Sequence, residues 1–225
     1  QAINEALDQE MARDPSVIMM GEDIVGGAGG TVEIDAWGGV LGVTKGLNAK
    51  HPGRLLDPPL SESAYVGAAV GAAMSGLRPV VELMYVDFVG LVMDQLANQA
   101  AKIRYMFGGQ IGVPMVLRSQ GGTGRSAAAQ HSQSLEAWMA HIPGLRVAMP
   151  ATINDAYHLL RRALTLPDPV VFLEHKGLYT QKGMLDVGQP DGHWGKALVR
   201  RPGSDVTIVA SSRMVQEALM DADMQ

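Results

Sequence analysis

The sequence predicts an α/β protein: a three-layer α/β/α sandwich around a mostly parallel sheet, followed by the start of a second α/β domain. Two observations carry this. Short, continuous apolar runs alternate with segments of helical periodicity. Such runs read as strands covered on both faces, which is the signature of a parallel sheet. The chain also has 225 residues, 47% of them apolar, enough for one large core and part of another domain.

Taken in order, Ile3, Leu7 and Met11 recur at helical spacing and predict a helix over 2–12. Val17 to Met20 is a short buried strand. Residues 21–46 hold eight glycines after Gly21 and read as a mostly mobile loop. Leu55-Leu56 is a strand stopped by Pro58-Pro59. A helix over 63–76 ends near Gly76, VVELMY (80–85) is a strand, and 88–106 is one long helix. Then come a strand at 115–119, a helix at 134–141, a strand at 145–149, a helix at 153–165 and a strand at 170–174. These elements define a first domain over 1–182. Residues 183–204, rich in Gly, Pro and polar side chains, read as a linker. Residues 205–222 read as one strand and one helix. A lone unit of that size cannot build a core, so 205–225 is expected to open a second, incomplete domain. The chain begins at Gln1, not at Met, so preceding sequence is expected.

Bulk chemistry narrows the function. A net charge of -5 argues against nucleic-acid or anionic-membrane partners. With no cysteine there can be no disulfide or thiolate metal site, and a cytoplasmic location fits. No apolar run reaches the ~18 residues of a membrane span, and no signal peptide is visible.

Familiar motifs fail. GGTGRS (121–126) has Arg125 where a phosphate loop needs Lys, and Ser119 where it needs Gly. GGAGG (26–30) lacks the register of a dinucleotide fingerprint. His131, His141, His158 and His175 are too scattered for a zinc motif, and no nucleophile elbow is present. Arg104 and Arg118 read as ion-pair residues.

One carboxylate stands out. Glu62 precedes a run of small apolar residues, and the next acidic residue is Glu82. Ser61 and Glu62 read equally as a helix cap and first-turn acid. Gly67, Gly71 and Gly76, with five alanines between Ala64 and Ala73, leave little bulk on the following helix. Glycine costs ~1 kcal/mol at each interior helix position, so the run is expected to make room for close approach and tight packing.

Several segments together resemble a known family: RLLDPPLSESAYVGAAVGAAMSGLRPVVELMYVDF, NQAAKIRYMFGG, AAAQHSQSLEAW, HIPGLRVAMP and DPVVFLEHKGLY. They are similar to the β-subunit of the thiamine-diphosphate-dependent E1 component of 2-oxo acid dehydrogenase complexes. Within that family GEDIVGGAGG, WGGVLGVTKGL, RYMFGG and EHKGLY look most like acetoin dehydrogenase, with pyruvate and branched-chain enzymes next. The resemblance implies that Glu62 hydrogen-bonds the cofactor's aminopyrimidine and promotes loss of the thiazolium C2 proton. A dry, apolar setting would raise its pKa and suit that task. Phe88 and Met84 would lie against the same ring, and His131 would line the substrate channel, with core packing or a capping histidine as the plain alternatives. The resemblance also implies a potassium site of backbone carbonyls near Met115, Ala163, Leu164, Leu166 and Asp168, although ALTLPDP lacks the Asp and Asn often found there.

The family's magnesium site uses Gly-Asp-Gly and a later Asn, and neither is found in that arrangement here. The resemblance therefore implies that an α-subunit binds magnesium and diphosphate, in an α2β2 heterotetramer that passes acyl groups to a lipoyl-bearing E2. Two other readings stay open: a self-contained transketolase-type enzyme, and a non-catalytic α/β assembly subunit.

Overall fold

In a computed structural model, residues 1–26 and 37–223 are described. The sheet has six strands, all paired in parallel: β1 (Val17–Gly21), β2 (Leu55–Leu56), β3 (Arg78–Leu83), β4 (Val116–Gly121), β5 (Arg146–Ala148) and β6 (Val170–His175). Their spatial order is β2-β1-β3-β4-β6-β5. The direction of winding reverses between β1 and β3, which opens a crevice at their carboxyl ends.

Helices cover both faces, as the continuous apolar strands require. On one face α1 (Ala2–Arg13) packs against α6 (Ile153–Thr165) over a core containing Leu7, Met11, Met19, Tyr157, Leu160 and Phe172. On the other, α3 (Glu62–Met74) and the helical run after β3 bury Val66, Val70, Leu83, Val89, Leu96 and Leu117. Each fully buried side chain of this size contributes roughly 1.5–3 kcal/mol. α6 matches its expected limits. Thr152 caps it reciprocally with Asp155, and Pro167 follows Leu166 at its end.

Four expectations are corrected. The long helix at 88–106 is helical but not uniform. It runs as a 3₁₀ stretch (Val86–Val92), a π-helical stretch (Asp94–Ala100) and α4 (Ala101–Met106). The expected mobile loop is fastened over 37–46. Thr44 Oγ1 donates to the Ile24 carbonyl at 2.7 Å, and Asn4 Nδ2 donates to the Val43 carbonyl at 2.7 Å. α2 (Leu47–Lys50) follows it. Most of GGAGG, residues 27–30, lies outside the described residues.

The third correction concerns 205–210, which form no strand. Val206 and Val209 are 76% and 92% exposed and have no ladder to join. Only α7 (Arg213–Asp223) forms there, tied to the first domain by Gln216 Nε2 to the Ala151 carbonyl at 2.8 Å. The remaining helix, α5 (Glu136–Ala140), is shorter than expected.

The fourth concerns the small residues of α3. A Cβ on Gly71 would meet nothing, and one on Gly67 would make ordinary contact with Gln95 at 3.6 Å. Ala64, Ala68 and Gly71 are exposed. The close approach expected of this helix is therefore not made within the described chain. Gly76 does have a local reason: at φ +100° it closes the helix in a conformation that other residues resist.

Candidate active site

Of the sequence-predicted residues, Glu62, Met84, Phe88 and His131 follow the carboxyl ends of β2, β3 and β4, whereas Met115, Ala163, Leu164, Leu166 and Asp168 precede β4 and β6 at the opposite ends. β1 ends at Gly21, where a Cβ would fall 2.9 Å from the Glu82 Cβ on β3. Glycine thus lets the two strands close beneath the site. Glu22 follows. Burial raises its carboxyl pKa, helped by the charges of Asp23 and Glu62. Glu62, at the start of α3, thus acts electrostatically on Glu22, directly after β1.

Glu62 opens α3 and is only partly buried. Ser61 makes no side-chain cap, so the capping explanation holds only for Glu62 as a first-turn acid. Among the described residues nothing forms the expected dry wall, because Ala64, Ala68 and Gly71 of α3 are exposed. One turn on, buried Tyr65 donates to the Glu82 carbonyl at 3.4 Å. Burial raises its phenol pKa, and Glu62, Glu22 and Glu82 push it further.

The other wall is aromatic. Met84, Tyr85 and Phe88 follow β3 and are partly buried. The Phe88 ring meets His131 edge-on at 5.6 Å, and Tyr85 meets the same imidazole at 5.2 Å. Asp87 Oδ1 accepts from the amides of Ser132 and Gln133 at 3.1 and 3.0 Å, holding the turn that carries His131. The structure thus joins Phe88 and Tyr85 to His131 by ring contacts, with Met84 directly before Tyr85 in the chain and Glu62 one turn before Tyr65 on α3.

Beneath the site lies a closed ion cluster. Arg118 is fully buried. Its Nε and Nη2 donate to the two oxygens of Glu174 at 2.7 and 2.8 Å, and its Nη1 to Glu82 at 2.7 Å. Tyr179 donates to Glu174 as well. Burial opposes the charge on Arg118, but Glu174 and Glu82 outweigh it and raise the guanidinium pKa above its ordinary value. The ion-pair reading of Arg118 is met. So is that of Arg104, which binds Asp168 at 2.8 Å.

The expected potassium ligands are already engaged. The Leu164 and Leu166 carbonyls accept from Arg78 Nη1 at 2.9 and 3.2 Å. The Ala163 carbonyl accepts from the Leu166 amide, and the Met115 carbonyl from the Val170 amide. The Asp168 carboxylate binds Arg104 and Arg146. A cation there would share two oxygens with a guanidinium and would have to use second lone pairs. Among the described residues no group of three or more His, Asp or Glu could hold a metal ion.

Sequence reasoning missed Lys176. It follows β6 in a short 3₁₀ turn and is 3% exposed. Its Nζ sits 5.0 Å from the centre of the Tyr85 ring, with no hydrogen-bond partner among the described residues. Asp87 Oδ2 and both amide atoms of Gln120 are likewise buried and unpartnered. The available signal was a lysine directly after an apolar strand.

The parallel order and the reversal of winding between β1 and β3 define a doubly wound α/β domain. The chain belongs to the family described as "Transketolase, pyrimidine binding domain", matched over residues 1–182. It is 60% identical over 218 residues to the acetoin:2,6-dichlorophenolindophenol oxidoreductase subunit beta of Cupriavidus necator, covering 97% of this chain and 64% of that protein. It is 48% identical to the subunit of the same name from Bacillus subtilis, covering 97% and 65%. It is 45% identical to a pyruvate dehydrogenase E1 component subunit beta-2 of Oryza sativa, covering 100% and 58%. The chain therefore spans about three-fifths of the length of these relatives. The fold is also that of a split-gene transketolase, an inactive β4 tetramer, with TM-score 0.74, 21% identity and coverage of 99% and 65%.

Proposed function

We propose that the chain is the β-subunit of an E1 enzyme of the acetoin or 2-oxo acid dehydrogenase type and supplies the pyrimidine half of a thiamine diphosphate site. The observation that supports this is the family match over residues 1–182, a span that holds Glu62 at the start of α3 and the ring contact of Phe88 with His131. The donor set suits an aminopyrimidine. Glu62 can share a proton with a ring nitrogen, and Phe88 and Met84 offer flat, polarisable contacts. Bound there, the cofactor would supply a carbon nucleophile.

With the cofactor bound, Glu62 would hold a proton at a nitrogen of the pyrimidine, the acid–base chemistry that the cofactor's activation needs. His131, in ring contact with Tyr85 and Phe88 and on the Asp87-fastened turn, would exchange protons with substrate. An α-subunit completing an α2β2 assembly would bring magnesium and the diphosphate contacts, and would cover the open face of α3 and dry Glu62. A lipoyl-bearing E2 would receive the acyl group. Potassium at Met115, Ala163, Leu164, Leu166 and Asp168 would act only on stability. No helix among the described residues is long and apolar enough to cross a membrane, and a cytoplasmic location is part of this proposal.

Acetoin is the first substrate to test, on the strength of the identities above; pyruvate and a branched-chain 2-oxo acid come next. The test is co-expression of the full-length protein with its α-subunit and an assay of dichlorophenolindophenol reduction, with and without thiamine diphosphate. Turnover lost without cofactor and in Glu62→Gln supports the reading. Full activity in Glu62→Gln points to the assembly-subunit alternative. Cofactor-dependent turnover by the β chain alone points to a self-contained enzyme.

A further inference from the structure

We propose that Lys176 is a substrate-binding residue: its ammonium, packed over the Tyr85 ring, donates a hydrogen bond to an oxygen of the small carbonyl substrate. This rests on the functional reading above and adds a contact that the sequence resemblance does not assign.

The argument starts from cost. A buried ammonium with three donors and no acceptor is among the least favourable groups a fold can carry. The ring of Tyr85 offsets part of that cost, since the Nζ lies 5.0 Å from its centre. Asp87 attracts the charge without hydrogen-bonding it, while burial and Arg125 act against it. Nothing among the described residues accepts its protons. The other buried Lys or Arg among the described residues, Arg118, is satisfied by three hydrogen bonds to carboxylates. Lys176 is therefore kept unpaired where pairing is the rule.

Its position says what the missing acceptor is. The Tyr85 ring that receives the ammonium is the same ring that meets His131 at 5.2 Å. His131 in turn meets Phe88. Lys176 is thus one ring away from the histidine placed at the substrate. Asp87 Oδ2, also buried and unpartnered, adds an acceptor nearby. One donor and one acceptor suit a small molecule carrying carbonyl or hydroxyl oxygens. When the carbonyl carbon takes a new bond, its oxygen gains an electron pair. An ammonium already aimed at that oxygen stabilises the charge without rearrangement. No bond to the lysine forms and no proton need leave it.

The experiment uses the full-length protein in complex with its α-subunit. Lysines are trace-labelled with acetic anhydride, with and without saturating acetoin or pyruvate, and read by mass spectrometry. Exposed Lys182 and Lys196 serve as references. One of the two compounds should slow labelling of Lys176 about fivefold and leave the references unchanged. Equal labelling with and without both compounds overturns the proposal.

Lys176→Met gives the second arm. It removes a buried charge, so its thermal midpoint should be equal to or higher than that of the wild type. Its kcat/KM should fall about 100-fold at unchanged thiamine diphosphate affinity, and Lys176→Arg should recover part of this. A lower midpoint with weaker cofactor binding would make Lys176 a structural support for Tyr85 and overturn the assignment. Wild-type complex without cofactor-dependent turnover removes the functional reading. Turnover with an unprotected Lys176 removes only this inference.

Discussion

Two polar regions lie a few residues apart along the same strands, and they are built on opposite rules. The cluster of Arg118, Glu82, Glu174 and Tyr179 is buried in the sheet, and Arg118 spends its donors on two carboxylates. At the carboxyl ends of those strands, Lys176, Asp87 Oδ2 and Gln120 are buried without partners, and Glu62 stands partly open. The first region is complete within one chain. In the second, donors and acceptors stay buried without partners among the described residues. Buried polar groups are paired as a rule, so an unpaired group calls for a reason.

The comparison can be broken by mutation. The largest effect belongs to the closed cluster. Arg118→Met leaves Glu82 and Glu174 uncompensated and should cost about 3–5 kcal/mol in urea denaturation. A cost below ~1 kcal/mol would show that the cluster is not structural. Tyr179→Phe removes one hydrogen bond to a carboxylate and should cost roughly 1.5–3 kcal/mol.

His175 gives a smaller, pH-dependent effect. Its Nδ1 accepts from the Gly177 amide at 3.0 Å, so the folded state favours the neutral ring. Burial lowers its pKa, and Arg213 and Lys176 lower it further. The unfolded chain therefore binds a proton more readily. The stability His175 contributes is full above pH ~6.5 and is lost as pH falls through the folded pKa. The thermal midpoint of the wild type should thus exceed that of His175→Gln at pH 8, and the gap should shrink toward pH 5. A gap that widens on acidification would reverse the sign. Smallest of all, Glu62→Gln should change stability by only ~0.5 kcal/mol, because its role lies outside the fold.

The same contrast explains what could be read in the sequence. α6 and β6 were legible because their signals are local: amphipathic spacing closed by Leu166-Pro167, then an unbroken apolar strand. Glu62 was legible as a lone charge beside small residues, and Phe88 and His131 only through the family resemblance. Arg118 could be read as an ion-pair residue, but its partners lie 36 and 56 positions away, and only the register of β3, β4 and β6 brings them together. The uneven pitch of 86–106 leaves no mark in apolar periodicity. Residues 205–210 show the opposite failure. Their strand propensity is strong, but no described strand offers a free edge that pairs with them.

The most direct test of the central claim is the exchange rate of the thiamine diphosphate C2 proton in the reconstituted α–β complex. Samples in deuterated buffer are quenched in acid and read by proton NMR. The account predicts exchange at least 100-fold faster with the wild type than with Glu62→Gln, while both complexes unfold at the same temperature. Equal exchange in the two would contradict it and leave Glu62 as a first-turn helix acid.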